Sequence, residues 1–217
     1  MTSRAGDVPV ALDRMALDLA VEHLAAADPD LAGIVARHGH PPLWDREPGF
    51  PTLLHIVLEQ QVSLASARAA FERLKAVADP LTPARFLELS DAALLEIGFS
   101  RQKARYGRAL AAAVGSGALD LAGLAQLDDD TVHAELQSIP GIGAWTSTVY
   151  LLMVLGRPDV WPAGDIALAT AVAEVKTLPH RPDATEMARL GDAWRPYRSV
   201  AARLFWHDYL SRRGRPG

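Results

Sequence analysis

The chain has 217 residues, 49% of them apolar, with 22 Lys and Arg against 26 Asp and Glu for a net charge of −4. That size and apolar content suit one compact domain or two small helical lobes, and exclude a chain that is chiefly disordered. Cysteine is absent, which excludes disulfides, a thiol nucleophile and any cysteine-held zinc or iron–sulfur cluster.

The seven histidines show no pair at the spacing that places a metal site on a helix. No apolar run reaches the roughly 18–20 residues that cross a bilayer. The opening Met1-Thr2-Ser3-Arg4-Ala5-Gly6-Asp7 lacks the charged-then-apolar layout of a secretory leader, so a cytoplasmic protein without a membrane partner is expected. Alanine and leucine dominate while β-branched clusters are sparse, which favours an all-α fold. A slightly acidic chain is not the usual picture of a DNA binder. Local charge and backbone amides count for more than the total, however.

In chain order, apolar residues at helical spacing (Val10, Leu12, Met15, Leu17, Ala20) predict a helix from Val8 to about Ala27, broken by Asp28-Pro29-Asp30. His38 to Trp44 reads as a loop rich in glycine and proline. A second helix is expected from about Pro51 to Val62, with proline tolerated in its first turn. Ser63 is an expected N-cap for a helix to about Ala78, and Thr82 and Ser90 cap shorter ones. Gly98-Phe99-Ser100 ends one helix and starts the next, which carries Arg101, Lys103, Arg105 and Arg108. That basic run faces either DNA phosphate or plain solvent. Gly115-Ser116-Gly117 is a turn, and Leu127-Asp128-Asp129-Asp130 opens a helix ending near Ser138. An apolar helix to about Leu155, a proline-marked loop, a helix opening at Asp165 and a last one from about Arg195-Pro196 to Arg212 complete the reading.

Two segments carry chemistry. In Leu136-Gln137-Ser138-Ile139-Pro140-Gly141-Ile142-Gly143-Ala144-Trp145-Thr146, two glycines let the chain turn tightly and bare backbone N–H groups at the start of a helix. Such a turn grips phosphate through amides and the helix dipole, with no basic side chain. By itself it serves equally as a helix-capping turn. In Arg157-Pro158-Asp159-Val160-Trp161-Pro162-Ala163-Gly164-Asp165-Ile166-Ala167-Leu168, Asp165 stands where a helix begins. An isolated aspartate there is most often an N-cap; functionally, its carboxylate can face a developing sugar cation.

Together with Leu58-Glu59-Gln60-Gln61-Val62-Ser63 and Trp194-Arg195-Pro196-Tyr197-Arg198-Ser199, these segments resemble, in residues, order and spacing, the helix-hairpin-helix (HhH-GPD) DNA glycosylase superfamily. The resemblance covers about Pro51 to Arg212 and is closest to bacterial 3-methyladenine DNA glycosylase II and its fungal relatives. It implies a bilobal all-α fold with a cleft between the lobes. The extra N-terminal α/β domain of the enterobacterial-type enzyme is not expected, because about 50 residues precede the match. The implied activity is monofunctional excision of alkylated purines such as 3-methyladenine from double-stranded DNA. The implied partner is that DNA, for a monomeric, nucleoid-associated protein.

By the same resemblance, Asp165 is the catalytic carboxylate, while Trp145 and Trp206 line the base pocket; the other reading of Trp206 is core packing in the last helix beside Leu204 and Phe205. Val149 replaces a pocket tyrosine of the enterobacterial-type enzyme, with Tyr150 beside it. Trp145 stands where the lyase branches carry a Schiff-base lysine, so plain hydrolysis is expected. Gly141, Ile142, Gly143, Thr146, Gln60, Gln61 and Arg198 are the expected DNA-binding residues. Gln61 either fills the gap left by the flipped base or is a solvated helix-end residue. Arg198 supports Asp165, meets a phosphate, or forms a structural ion pair. The only cofactor expected is a Na+ or K+ ion on the carbonyls of Gln137, Ile139 and Ile142, with no iron–sulfur cluster. A DNA-binding module without catalysis and a monofunctional glycosylase for deaminated or oxidised bases are the alternatives.

Overall fold

A computed structural model describes residues 10–214. The stretch Met1 to Asp7, and the start at Val8 expected for the first helix, lie outside them. Among the described residues every regular element is helical: α1 (Arg14–Ala27), α2 (Pro29–His38), α3 (Phe50–Glu59), α4 (Leu64–Val77), α5 (Pro83–Glu88), α6 (Asp91–Ile97), α7 (Arg101–Gly115), α8 (Asp129–Gln137), α9 (Ala144–Met153), α10 (Ile166–Val175), α11 (Ala184–Gly191) and α12 (Arg198–Arg212). Two short 3-10 turns, Gly123–Gln126 and Asp192–Trp194, complete the set. The chain forms two compact units: residues 46–150 make the first, residues 10–45 with 151–214 the second.

The caps set the boundaries. Ser63, Thr82, Ser90, Ser100 and Asp128 each accept a backbone N–H three residues on, where an unpaired helix donor would otherwise need water. Asp13 opens α1 through Ala16 N at 2.7 Å, so that helix starts well after Val8. Asp28 does more than break α1. Its side chain accepts from Asp30 N and opens α2, with Pro29 in the first turn. α11 is likewise absent from the sequence reading, although Asp183 and Glu186 form a reciprocal capping box. The last helix opens at Arg198, not at Arg195-Pro196, because a 3-10 turn precedes it.

In the first unit α3 packs on α4 and α7, and α5 packs on α7. The aromatic cluster Phe50, Phe86 and Phe99 lies at its centre. Gly107 lets α7 close on Phe86: an added Cβ would stand 2.7 Å from that ring. In the second unit α12 is the central helix, packed on α1, α2 and α10. Its Arg203 is 1% exposed and donates to the carbonyls of Leu43, Ser199 and Leu152. Burial pushes that guanidinium down to about 10, with Asp45 opposing, so it stays charged at neutral pH.

Candidate functional site

The turn between α8 and α9 is anchored from beneath. Ile139 and Ile142 are buried, while Pro140 and Gly143 are exposed. Ile142 N donates to Ile139 O at 3.0 Å and Ser147 N to Gly143 O at 3.1 Å, which closes the turn and starts α9. His133 on α8 meets Ser147 Oγ on α9 at 2.7 Å, tying the two helices together. Burial holds His133 below the usual imidazole range. Gly141 has φ +94°, and a Cβ there would lie 2.1 Å from Tyr106 Cγ. Both the backbone conformation and the tyrosine ring beneath therefore require glycine. α9 begins at Ala144, and Gly143 and Ala144 at its start are exposed.

The end of α3 is fixed to this turn. Gln60 Nε2 donates to Gly141 O and to Thr146 Oγ1, each at 2.8 Å, and Thr146 is 1% exposed. Gln60, expected to bind DNA, thus has its carboxamide nitrogen committed inside the protein. The next residue, Gln61, is exposed with φ +55°, beside exposed Val62 and Leu64. Of the basic run on α7, Lys103 donates to Leu58 O and Arg108 to Leu87 O, Leu89 O and Asp91. Arg101 and Arg105 stay exposed. Trp145 is half-buried at the start of α9, and Tyr150 is fully buried. The Tyr150 hydroxyl has no hydrogen-bond partner, and burial pushes it up to about 12. Tyr150, expected in the base pocket, therefore presents no surface to a base in this structure.

In the second unit Asp165 is the N-cap of α10. Its Oδ1 accepts from Leu168 N at 2.7 Å and from Trp206 Nε1 at 3.3 Å. Trp206 is 8% exposed, so its indole both packs in α12 and directs its N–H at the carboxylate. The loop that carries Asp165 is sewn to the start of α12. Ser199 Oγ donates to Val160 O and accepts from Val160 N, each at 3.0 Å. Trp161 Nε1 donates to Met187 O at 2.8 Å, and the Trp161 and Trp194 rings meet at 5.1 Å. Arg198, expected at DNA, pairs with Asp159: Nε donates to Oδ1 at 2.8 Å and a second guanidinium nitrogen to the Asp159 carbonyl. The Trp-x-Pro-x-Arg-Ser segment thus acts as a clamp on the Asp165 loop. The sequence reading did not single out Asp159, Trp161 or Tyr106. The pairing of Asp159 with Arg198 spans 39 residues, and no local pattern marks it.

Among the described residues no group of three or more His, Cys, Asp or Glu side chains is placed to hold a metal. No helix there is long and apolar enough to cross a membrane.

Residues 54–196 match the HhH-GPD superfamily of base excision DNA repair proteins. The Bacillus subtilis protein YfjP, assigned provisionally by its name to the DNA-3-methyladenine glycosylases, is 28% identical over 82% of this chain. The chain spans 65% of the length of that relative. Among solved structures, the Schizosaccharomyces pombe 3-methyladenine DNA glycosylase Mag1 in complex with abasic DNA is similar with a TM-score of 0.82 and 25% identity, over 90% of this chain and 97% of that one. A DNA-3-methyladenine glycosidase from Bacillus halodurans gives 0.72 and 28% over 91% and 92%. The match extends from within α3 through the hairpin and the Asp165 loop to Pro196, just before α12, and this chain belongs to the HhH-GPD superfamily of base excision DNA repair proteins.

Proposed function

We propose that this protein is a monofunctional DNA glycosylase that hydrolyses the N-glycosidic bond of alkylated, cationic purines such as 3-methyladenine and 7-methylguanine in double-stranded DNA. The observation that carries the reading is Asp165: a carboxylate held at a helix N-terminus by Leu168 N and by the indole N–H of a buried tryptophan. Departure of a cationic base needs little acid catalysis, because the leaving group gains neutrality as the bond breaks. The positive charge then appears on the sugar, and a fixed carboxylate attracts it most strongly in the transition state. Water completes the reaction at the sugar carbon; Trp145 has no amine to form a Schiff base. The face of Trp206 suits a cationic purine by stacking and cation–π attraction.

The hairpin supplies the DNA grip. The exposed start of α9, where a helix dipole favours an anion, suits a phosphate and would allow binding by a chain of net charge −4. The carbonyls of Gln137, Ile139 and Ile142 are neutral, hard oxygen donors; Gln137 ends α8, where the helix dipole favours a cation, and Ile139 and Ile142 lie in the turn that follows. Ile139 O accepts one hydrogen bond, from Ile142 N, and keeps a second lone pair. A Na+ or K+ ion held there would add positive charge beside the phosphate. Gln61 is assigned to the gap left by the flipped nucleotide, since its turn is exposed and its backbone is set at positive φ.

The reading is tested by incubating the protein with methylated duplex DNA and identifying the released bases by chromatography. Release of 3-methyladenine and 7-methylguanine, leaving abasic sites without strand cleavage, is the expected result. Binding to abasic duplex without release of any methylated purine would overturn the assignment of substrate.

A further inference from the structure

We infer that Gln60 is a positioning residue that couples the Gln61 turn to the hairpin, so that these two elements act as one rigid unit. The donor geometry is specific. A carboxamide nitrogen carries two N–H groups, and the two short bonds to Gly141 O and Thr146 Oγ1 use both. The acceptors lie on two parts of the hairpin: Gly141 within the turn, at φ +94°, and Thr146 in the first turn of α9, almost fully buried.

The other end of the brace is equally fixed. Arg46 forks both oxygens of Glu59 at 2.9 and 3.0 Å, and Lys103 donates to Leu58 O. Burial holds Lys103 below its usual range, a cost consistent with an anchoring role. Three successive residues, Leu58, Glu59 and Gln60, are thus each held by a long-range polar contact, and the next, Gln61, projects into solvent at φ +55°. Tyr106 supports Gly141 from below, and its hydroxyl accepts from Gln102 at 2.6 Å. Gln60 closes the frame from the side. A projecting turn that pushes into a duplex meets a restoring force, and without the brace that force would displace the hairpin and the turn independently.

The chemistry gives a selective probe. In Gln60→Glu the carboxylate is isosteric but accepts only, and faces the Gly141 carbonyl without a donor. Protonation at lower pH returns one O–H donor. The first measurement is hydrogen exchange in the free protein over residues 138–147, compared with α5–α7 and with the wild type at each pH. We expect exchange in 138–147 to rise about tenfold at pH 7.5 without a matching rise elsewhere, as loss of hydrogen bonds worth about 1.4 kcal/mol requires. The excess over wild type should narrow at pH 5. Thr146→Val, which removes one acceptor and keeps the shape, should give a smaller rise without pH dependence.

The second measurement is affinity for abasic duplex, where Gln60→Glu should lose about tenfold at pH 7.5. This consequence rests on the DNA glycosylase reading; the exchange experiment does not. Unchanged exchange in free Gln60→Glu with weakened DNA binding would mean that Gln60 touches DNA directly, and would overturn the proposal. Wild-type exchange and wild-type affinity together would overturn it as well. A uniform rise across the first unit, with none specific to 138–147, would reduce Gln60 to general packing and also reject the brace.

Discussion

Trp206 Nε1 donates to the same Asp165 oxygen that accepts the N–H of Leu168, so one carboxylate atom both caps α10 and receives the indole. The cap and the proposed electrostatic role are separable because asparagine caps helices about as well as aspartate. Asp165→Asn should therefore stay within about 0.5 kcal/mol of wild-type stability. Its base release should fall on the order of 10²–10³-fold, the usual scale for loss of a preorganised electrostatic contact. Urea unfolding and single-turnover release on methylated DNA measure the two sides. Full activity in a well-folded Asp165→Asn protein would remove Asp165 from catalysis.

The indole N–H offers a finer probe. Trp206→Phe keeps most of the buried aromatic volume and deletes the donor to Asp165. We expect base release to fall by about tenfold, as loss of one hydrogen bond to a charged group of about 1.5 kcal/mol requires. Trp206→Ala adds a cavity costing about 3–5 kcal/mol of stability. If the phenylalanine variant releases base at the wild-type rate, the N–H is only a packing accessory.

What the sequence discloses and what it hides follow from range. Ser63, Thr82, Ser90, Asp128 and Asp165 are legible as caps because each bonds a backbone N–H only three residues away. α2 escapes notice because Asp28-Pro29-Asp30 reads as a break, and α11 because it is short and its Asp183-x-x-Glu186 capping signal is brief. The roles of Gln60 and Arg198 depend on partners 81 and 39 residues distant, so their residue types show polarity but not what they hold. Motif resemblance marks both as significant and says nothing of the brace or the clamp.

That clamp predicts a stability phenotype linked to turnover. Ser199 is fully buried and satisfies both backbone groups of Val160 in the Asp165 loop. Ser199→Ala leaves a buried N–H and C=O without that partner, at a cost of about 1–3 kcal/mol. Turnover on methylated DNA should drop several-fold through loosening of the loop. Affinity for abasic DNA should change little, because the hairpin is intact. Titration by fluorescence anisotropy beside turnover assays separates the two effects; equal losses in both would argue that the clamp has no selective hold on Asp165.

Salt dependence distinguishes the arginines of α7. Arg105 is exposed, with its guanidinium 5.7 Å from the Tyr106 ring that supports Gly141. That position, beside the hairpin, suits a phosphate. Arg105→Gln should lower the slope of log affinity against log salt by about 0.9, one released counterion. Arg108 is held by Leu87 O, Leu89 O and Asp91, so Arg108→Gln should leave the slope unchanged and lower the melting temperature instead. Indistinguishable slopes for wild type and Arg105→Gln would place that arginine outside the DNA footprint.

Acid should destabilise the second unit through Asp208. Its side chain has no exposed surface and accepts from Arg37 at 3.0 Å and Arg212 at 2.7 Å, with His38 Nε2 at 3.1 Å. Burial alone would raise its carboxyl above the usual 3.8; the hydrogen bonds and charges of Arg37 and Arg212 outweigh it and hold the group below 3.8. Unfolding therefore takes up a proton at a higher pH than the native state does. The stabilisation is present in full above about pH 4 and is lost as pH falls through the lowered native value. Asp28, half-buried and held by Lys176 and Trp194, shifts in the same direction and adds to the loss. In urea unfolding followed from pH 7 to pH 3, Asp208→Asn should be less stable at pH 7 by about 1–3 kcal/mol. It should also lose less stability than wild type between pH 4 and pH 3. Parallel curves for the two proteins would show that Asp208 does not carry the acid response, and leave Asp28 as the group to substitute.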